Sequence, residues 1–118
     1  MNIKQYLLKV LNNKEILDML PDKKVYFLHA NNPNKNLYLE YEILDGYGVE
    51  YSENKEDFAN HLVQVDLFST GNYADLETLV KKHMINNGFE GGYGPDLYEE
   101  KTQLKHKVMR FNIDLPTD

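Results

Sequence analysis

His29, His61, His83 and His106, together with a surplus of carboxylates, are the side chains of this chain best suited to proton transfer or metal binding. Metal ligation needs ligands at set spacings, and no H-x-x-x-H or H-E-x-x-H pair puts two histidines on one helix face. The four also fall on different expected elements, so only the fold could gather them. His83 lies on the apolar stripe of a helix near its C-terminus, where a hydrogen-bonded histidine at the core edge suits the helix dipole. Asp45, Glu50, Glu53, Glu56, Asp57, Asp66, Glu99 and Glu100 could supply a carboxylate pair for acid–base hydrolysis, which further requires a cleft and separated pKa values. Nucleophilic catalysis has less to work with, because cysteine is absent and no Gly-x-Ser-x-Gly elbow occurs. The stretch at residues 90–95, EGGYGP, shares only its composition with a phosphate loop. It follows a helix instead of opening one and holds no Lys, Ser or Thr to meet a phosphate. The expectation is a protein that is not an enzyme, with no catalytic, metal-binding or cofactor-binding residues and no cofactor.

Charge narrows the partners. A net charge of −6 offers nothing to a phosphate backbone or an anionic membrane surface, so sequence-independent or sequence-specific nucleic-acid binding is not expected. No apolar run reaches the roughly 20 residues of a membrane helix, and MNIKQYLLKVLNNKE lacks the apolar core and small-residue cleavage site of a signal peptide. With no cysteine, the composition fits a reducing cytosol. A chain of 118 residues, 42% hydrophobic, supports one domain over residues 1–118 with a modest core. Its nine tyrosines suit strands and contact surfaces, since the ring buries area while the hydroxyl stays satisfied.

The elements that would position these groups are legible in periodicity. Residues 61–88 hold the clearest pattern. Val63, Val65 and Leu67 alternate with Gln64 and Asp66, as a half-buried antiparallel strand requires, which leaves Asp66 exposed or at a subunit contact. Leu76, Leu79, Val80, His83 and Met84 then follow the stripe of a core-facing helix. Asn72 is placed to cap that helix, with Asp75 three residues on, and Asn87-Gly88 supplies a left-handed stop. Upstream, Ile3, Leu7, Val10 and Leu11 predict a helix starting after Asn2, with Gln5 completing a capping box. Asn12-Asn13 interrupts it, and Ile16, Leu17 and Leu20 mark a second short helical piece ended by Pro21. Residues 24–29 read as a short strand covered on both faces. Residues 31–36 form a polar loop. Residues 37–44 form a strand with Leu37, Leu39, Tyr41 and Ile43 inside and Tyr38, Glu40, Glu42 and Leu44 outside. Asp45-Gly46 with Gly48 turns the chain into a return at residues 49–51, and residues 52–57 make a charged excursion. Residues 90–95 are expected to hold no regular structure. A closing hairpin places Met109, Phe111, Ile113 and Leu115 on one face, with Lys107, Val108, Arg110 and Asn112 mostly toward solvent. The order implies α+β: an antiparallel β-sheet with an N-terminal helix and a central amphipathic helix packed on one face.

Several of these segments carry a resemblance. Gln64-Val65-Asp66-Leu67-Phe68-Ser69, the Ser/Thr/Gly/Asn turn, the amphipathic helix and the late Arg110-Phe111-Asn112-Ile113 strand resemble the tail-completion and head-tail joining (tail terminator-like) proteins of long-tailed bacteriophages. Residues 38–43 look like that family's first long strand, 48–55 like its hairpin return, and 97–100 with 106–113 like its closing hairpin. The resemblance implies a virion structural protein, assembled in the host cytoplasm, whose copies form a homo-oligomeric ring, a hexamer, at the head-proximal end of the tail. Its partners would be itself, the major tail tube protein and the head-tail connector or stopper protein. An acidic ring would let DNA pass through without sticking. The expected contacts lie in residues 31–36, 45–48, 52–57 and 90–95, with Asn32, Asn34, Asp45, Tyr47, Glu53, Asp66, Tyr93 and Asp96 as candidate interface residues. Glu40, Glu42 and Lys107, read as exposed strand charges, would discourage edge pairing in free solution. The alternative from composition alone is a small acidic binding or inhibitor protein that occupies a basic partner surface.

Overall fold

Asparagines punctuate the first helices. In the computed structural model, which describes residues 2–33, 36–44 and 58–117, Asn2 Oδ1 accepts the Gln5 amide at 3.1 Å and opens α1 (Ile3–Leu11). Asn13 then serves both sides of a break. Its side-chain amide donates to the Val10 carbonyl at 2.7 Å, while its Oδ1 accepts from Ile16 N at 3.0 Å and opens α2 (Lys14–Met19). Each cap satisfies a donor that the first helical turn leaves without a partner.

The strand expected at residues 24–29 is shorter and less covered than its composition suggests. Only β1 (Tyr26–Phe27) is extended, and Leu28, at φ 66°, turns the chain out of the sheet. Phe27 and Leu28 are left 37% and 56% exposed. β2 (Leu37–Ile43) pairs antiparallel with β3 (Phe58–Ser69), and parallel with β1 on its other side. α3 (Ala74–Asn86) follows, then β4 (Glu90–Tyr93), β5 (Asp96–Glu99) and the long β6 (Leu104–Pro116). The strand order is β1-β2-β3-β6-β4, with β5 paired to β6 beyond β4. With three helices among the described residues and a mostly antiparallel sheet, the protein is α+β. The turn at Asp45, Gly46 and Gly48, the return at 49–51 and the excursion at 52–57 lie outside the described residues.

One face of the sheet carries the core. Leu39 and Tyr41 of β2, Val63, Val65 and Leu67 of β3, and Met109, Phe111, Ile113 and Leu115 of β6 all pack into a single cluster with Leu7, Val10 and Leu11 of α1 and Leu76, Val80 and Met84 of α3. Every strand residue in that set is odd-numbered, as the two-residue period of a pleated strand demands. Leu79, expected in the core, is only partly buried at its edge, because the buried stripe of α3 runs i, i+4, i+8 through Leu76, Val80 and Met84. The Asn72 cap is displaced by one residue: Tyr73 is the N-cap, while Asn72 Oδ1 accepts the Ala74 amide at 2.9 Å. At the other end Gly88 takes φ 93° and Phe89 N donates to the Met84 carbonyl at 3.1 Å, closing the helix. Tyr6 of α1 ties down the same turn, its hydroxyl donating to the Asn87 carbonyl at 2.7 Å.

Residues 90–95 overturn an expectation. Instead of an irregular loop, Glu90–Tyr93 pairs with β6 through a register shift between Gly91 and Tyr93. The glycines are there for close approach. A Cβ at Gly91 would stand 2.6 Å from the Arg110 carbonyl oxygen, and Gly91 itself sits at φ 112°. Gly94 would clash with the Val108 carbonyl in the same way. Glycine content therefore marks a bulge here, where it had suggested the absence of structure.

Three residues expected on wet positions are buried. Lys107 is 8% exposed because register places it opposite Leu67, on the core face near the end of the sheet. Its ammonium reaches out to donate to the Gly94 carbonyl at 2.9 Å and to Asp96 Oδ2 at 3.3 Å. Val108, 4% exposed, lies beneath the connector whose Pro95 carbonyl accepts its amide at 3.0 Å. Glu40, 8% exposed, is covered by the segment after β1, and its Oε2 accepts the Ala30 amide at 2.8 Å. Glu40 and Lys107 therefore cannot guard strand edges as exposed charges. Glu42, half-buried, is the one of the three that keeps partial solvent contact.

Candidate functional site

The helix-free face of the sheet is built from the even-numbered strand residues, and register sorts them into rows. Tyr38, Phe68 and His106 stand side by side across β2, β3 and β6. Their rings stack, Tyr38 on Phe68 with centroids 4.7 Å apart and Phe68 on His106 at 4.1 Å. Glu40, Asp66 and Val108 form the next row, and Glu42, Gln64 and Arg110 the one after. A chain of polar contacts crosses these rows. Arg110 Nε donates to Gln64 Oε1 at 3.0 Å, Gln64 Nε2 donates to both Asp66 oxygens at 2.9 and 3.0 Å, and Asp66 Oδ1 lies 2.7 Å from His106 Nε2. Asp66 is 6% exposed, which corrects its reading as a surface or contact residue. Its carboxylate is consumed inside the subunit.

Over the first rows lies a cleft of about 770 Å³. His29, Ala30 and Pro33 contribute to it from the segment after β1, and Glu99, Lys101, Thr102 and Leu104 from the β5–β6 hairpin. Tyr38, Glu40, Phe68 and His106 complete it from the sheet. Burial, and then the negative charges of Glu40 and Glu99, push the Tyr38 hydroxyl above its ordinary pKa. Two carboxylates of the lining therefore act on that hydroxyl. Glu40 is directly opposite Asp66 in register, a like-charge pair whose side chains an antiparallel ladder holds about 5 Å apart at Cβ. The nearest charge partner of Glu40 is His29 Nδ1 at 3.6 Å, on a side chain that is 89% exposed.

Asp66 and His106 match two of the three members of a catalytic triad in geometry alone. The aliphatic hydroxyl lining the cleft, Thr102 Oγ1, donates to Glu99 Oε1 at 2.8 Å and so spends its proton on that carboxylate. Among the described residues no group of three or more His, Asp or Glu side chains could hold a metal ion. What the arrangement offers is acceptor oxygens beside aromatic and aliphatic walls, a recognition surface for a hydrogen-bond donor or cation.

A second polar cluster sits on the opposite side of the hairpin. The Tyr73 hydroxyl donates to Asp96 Oδ1 at 2.6 Å, and Lys107 approaches the other oxygen of the same carboxylate. The hydrogen bond to Asp96 holds the Tyr73 pKa up at about 12, and the same bond first, with Lys107 after it, holds the Asp96 carboxyl below its ordinary range. Asp96 remains exposed but is engaged within the chain. Tyr93 beside it is 82% exposed. Asn32 is exposed, at φ 58°, next to the Pro33 wall of the cleft. The other candidate contacts, Asn34, Asp45, Tyr47 and Glu53, lie outside the described residues. Of the described candidates, then, none lines the cleft: Asn32 precedes its Pro33 wall, Asp66 is buried beneath it in contact with His106, and Tyr93 and Asp96 lie on the β4–β5 edge.

Sequence reasoning passed over Tyr38, Glu40 and Phe68 as site residues, and it named Glu99 and His106 only among scattered carboxylates and histidines. Tyr38 and Glu40 share a parity in β2, Phe68 shares the parity of Asp66 in β3, and that alternation was the available signal. Only the cross-strand register could show that they meet. His83, by contrast, lies where the helix stripe placed it, at the core edge, with Nε2 2.9 Å from Glu15 Oε1 of α2. No family model matches the chain, and no curated protein matches it in sequence. Among the described residues no helix is long and apolar enough to cross a membrane.

Proposed function

We propose that this protein is a structural subunit of a long-tailed phage virion, forming a ring, a hexamer, at the head-proximal end of the tail tube and joining the tail to the head connector. The observation that carries this reading is the set of large side chains left open at the two ends of the strand order. Tyr93, Leu97 and Tyr98 on the β4–β5 edge are 82%, 49% and 57% exposed, and Phe27 and Leu28 on the β1 edge are 37% and 56% exposed. A ring subunit has two different contact surfaces, one for each neighbour, and burying such aromatic and aliphatic groups is what its formation needs. The resemblance of residues 64–69, the turn, α3 and residues 110–113 to tail-completion proteins supplies the location. Assembly is templated by the tube end, so the purified chain is monomeric or weakly associated at low concentration.

Electron microscopy of virions carrying a gold-binding tag on this chain tests the proposal. Label is expected at the junction of head and tail; label confined elsewhere, or absent from particles, overturns it. The gene should also lie between those for the head connector and the major tail protein. The acidic cleft favours a second reading, a small acidic module that binds a basic partner surface, which takes first place if the particles carry no label.

A further inference from the structure

Glu40 carries a buried carboxylate that the described residues serve on one oxygen. The residue is 8% exposed, and among the described residues its partners meet a single oxygen, Oε2: the Ala30 amide at 2.8 Å and the exposed His29 ring, whose Nδ1 stands 3.6 Å away. Among the described residues no group donates to Oε1, although Glu40 lines the cleft. Its cross-strand neighbour Asp66 cannot help. That carboxylate is itself negative and is already occupied by the Gln64 amide and the His106 ring. Asp66 shows what a carboxylate in this row receives when the fold supplies its partners. A desolvated carboxylate oxygen lacking a donor costs free energy that a cation could recover, and more so in a partly enclosed site than in bulk water. Glu99 adds a second negative charge at the hairpin wall, and both carboxylates act on the Tyr38 hydroxyl.

The remaining lining sets the shape of what would fit. Ala30, Pro33 and Leu104 present aliphatic surface beside the edges of the Tyr38 and Phe68 rings. Ammonium and guanidinium groups on carbon stems match that combination, the stem lying along apolar walls and the head reaching the carboxylates. We infer that this cleft binds an organic cation on an aliphatic stem, received by Glu40 at its base and Glu99 at its rim. The chemistry is that of an arginine side chain presented by another polypeptide or of a free alkyl guanidine. Lys101 also lines the cleft, and its fixed positive charge opposes an incoming cation. The site does not depend on the ring, since the cleft lies wholly within one subunit.

Titration of the isotope-labelled full chain, followed by amide NMR, tests the inference with three probes in low salt: N-acetyl-Gly-Arg-Gly-amide, agmatine, and N-acetyl-Gly-Glu-Gly-amide as the acidic control. The arginine peptide is expected to shift the Ala30 amide saturably and the acidic peptide is not. Glu40→Gln should weaken binding about tenfold or more, the loss expected when a charge-assisted hydrogen bond becomes a neutral one. Lys101→Ala, at an exposed hairpin position that disturbs no packing, should tighten binding about two- to fivefold by removing a competing charge. If Glu40→Gln does not fold, Lys101→Glu replaces it and should tighten binding further. Binding of the peptide well above agmatine assigns the cation to a polypeptide partner, and equal binding assigns it to a free guanidine; both uphold the site. An Ala30 amide that does not respond, an acidic peptide that binds as well, or Lys101 variants that weaken binding would overturn it.

Discussion

Leu76 and Leu79 lie three residues apart on α3, and the structure gives them different energetic weights that one pair of substitutions can measure. Leu76 is 1% exposed within the cluster formed by α1, α3 and the sheet. Truncation to alanine removes its apolar contacts and leaves a cavity under a helix held on both sides. Leu76→Ala should therefore cost roughly 2–5 kcal/mol, the range for a fully buried leucine. Leu79 packs against the same cluster while partly open to solvent. Part of its side chain is already hydrated, and the gap left by Leu79→Ala can fill with water, so about 1 kcal/mol is expected from roughly 25 cal/mol per Å² of the apolar area it does bury. Against a total stability of about 5–15 kcal/mol, the first change is severe and the second mild. At about 4 °C per kcal/mol for a domain of this size, Leu76→Ala should lower Tm by about 12 °C and Leu79→Ala by about 4 °C. Urea unfolding followed by far-UV circular dichroism would supply both values, with an unchanged m confirming that only stability moved. A cost for Leu79→Ala equal to or above that of Leu76→Ala would refute the orientation assigned to α3.

Two further perturbations probe the sheet edge. Because the bond to Asp96 raises the Tyr73 pKa to about 12 in the folded state, its contribution to stability is full below the unfolded tyrosine value of about 10 and is lost as pH rises through 12. Absorbance titration near 295 nm should show a tyrosine step near pH 12, and Asp96→Asn should bring that step toward 10; an unchanged step near 12 would remove Asp96 as the cause. The depressed Asp96 carboxyl works in the opposite direction, its contribution present above about pH 4 and lost as pH falls through the lower folded value. At β4, Gly91→Ala forces a Cβ to within 2.6 Å of the Arg110 carbonyl at a φ of 112°, and should cost more than about 1 kcal/mol. Gly71→Ala meets nothing within 4 Å and should be near neutral, so equal melting temperatures for the two variants would contradict the bulge geometry.

Local rules accounted for much of the fold. The alternation at Val63, Val65 and Leu67 and the helical stripe through Leu76, Val80 and Met84 each bury one face, because side-chain periodicity is a property of the backbone geometry itself. Asn2, Asn13 and Gly88 act within a turn of their own positions, so their roles were also open to reading from neighbouring residues. The misjudged residues have a common cause. Lys107 and Glu40 were assigned to solvent from residue type, but a charged group's environment is set by whatever chain segment returns to cover it, here the Gly94–Asp96 connector and the segment around Ala30. Glycines at 91 and 94 signalled a loop by composition, while the approach of β6 made them a requirement of pairing. The candidate site lies furthest from sequence. Tyr38, Phe68 and His106 stack, and Glu40 meets Asp66, only through the register of β2 on β3 and β3 on β6. Register between strands separated by whole elements is a global choice, made by burying the odd-numbered face of all three strands against the helices at once, and the even-numbered face inherits its neighbours from that choice.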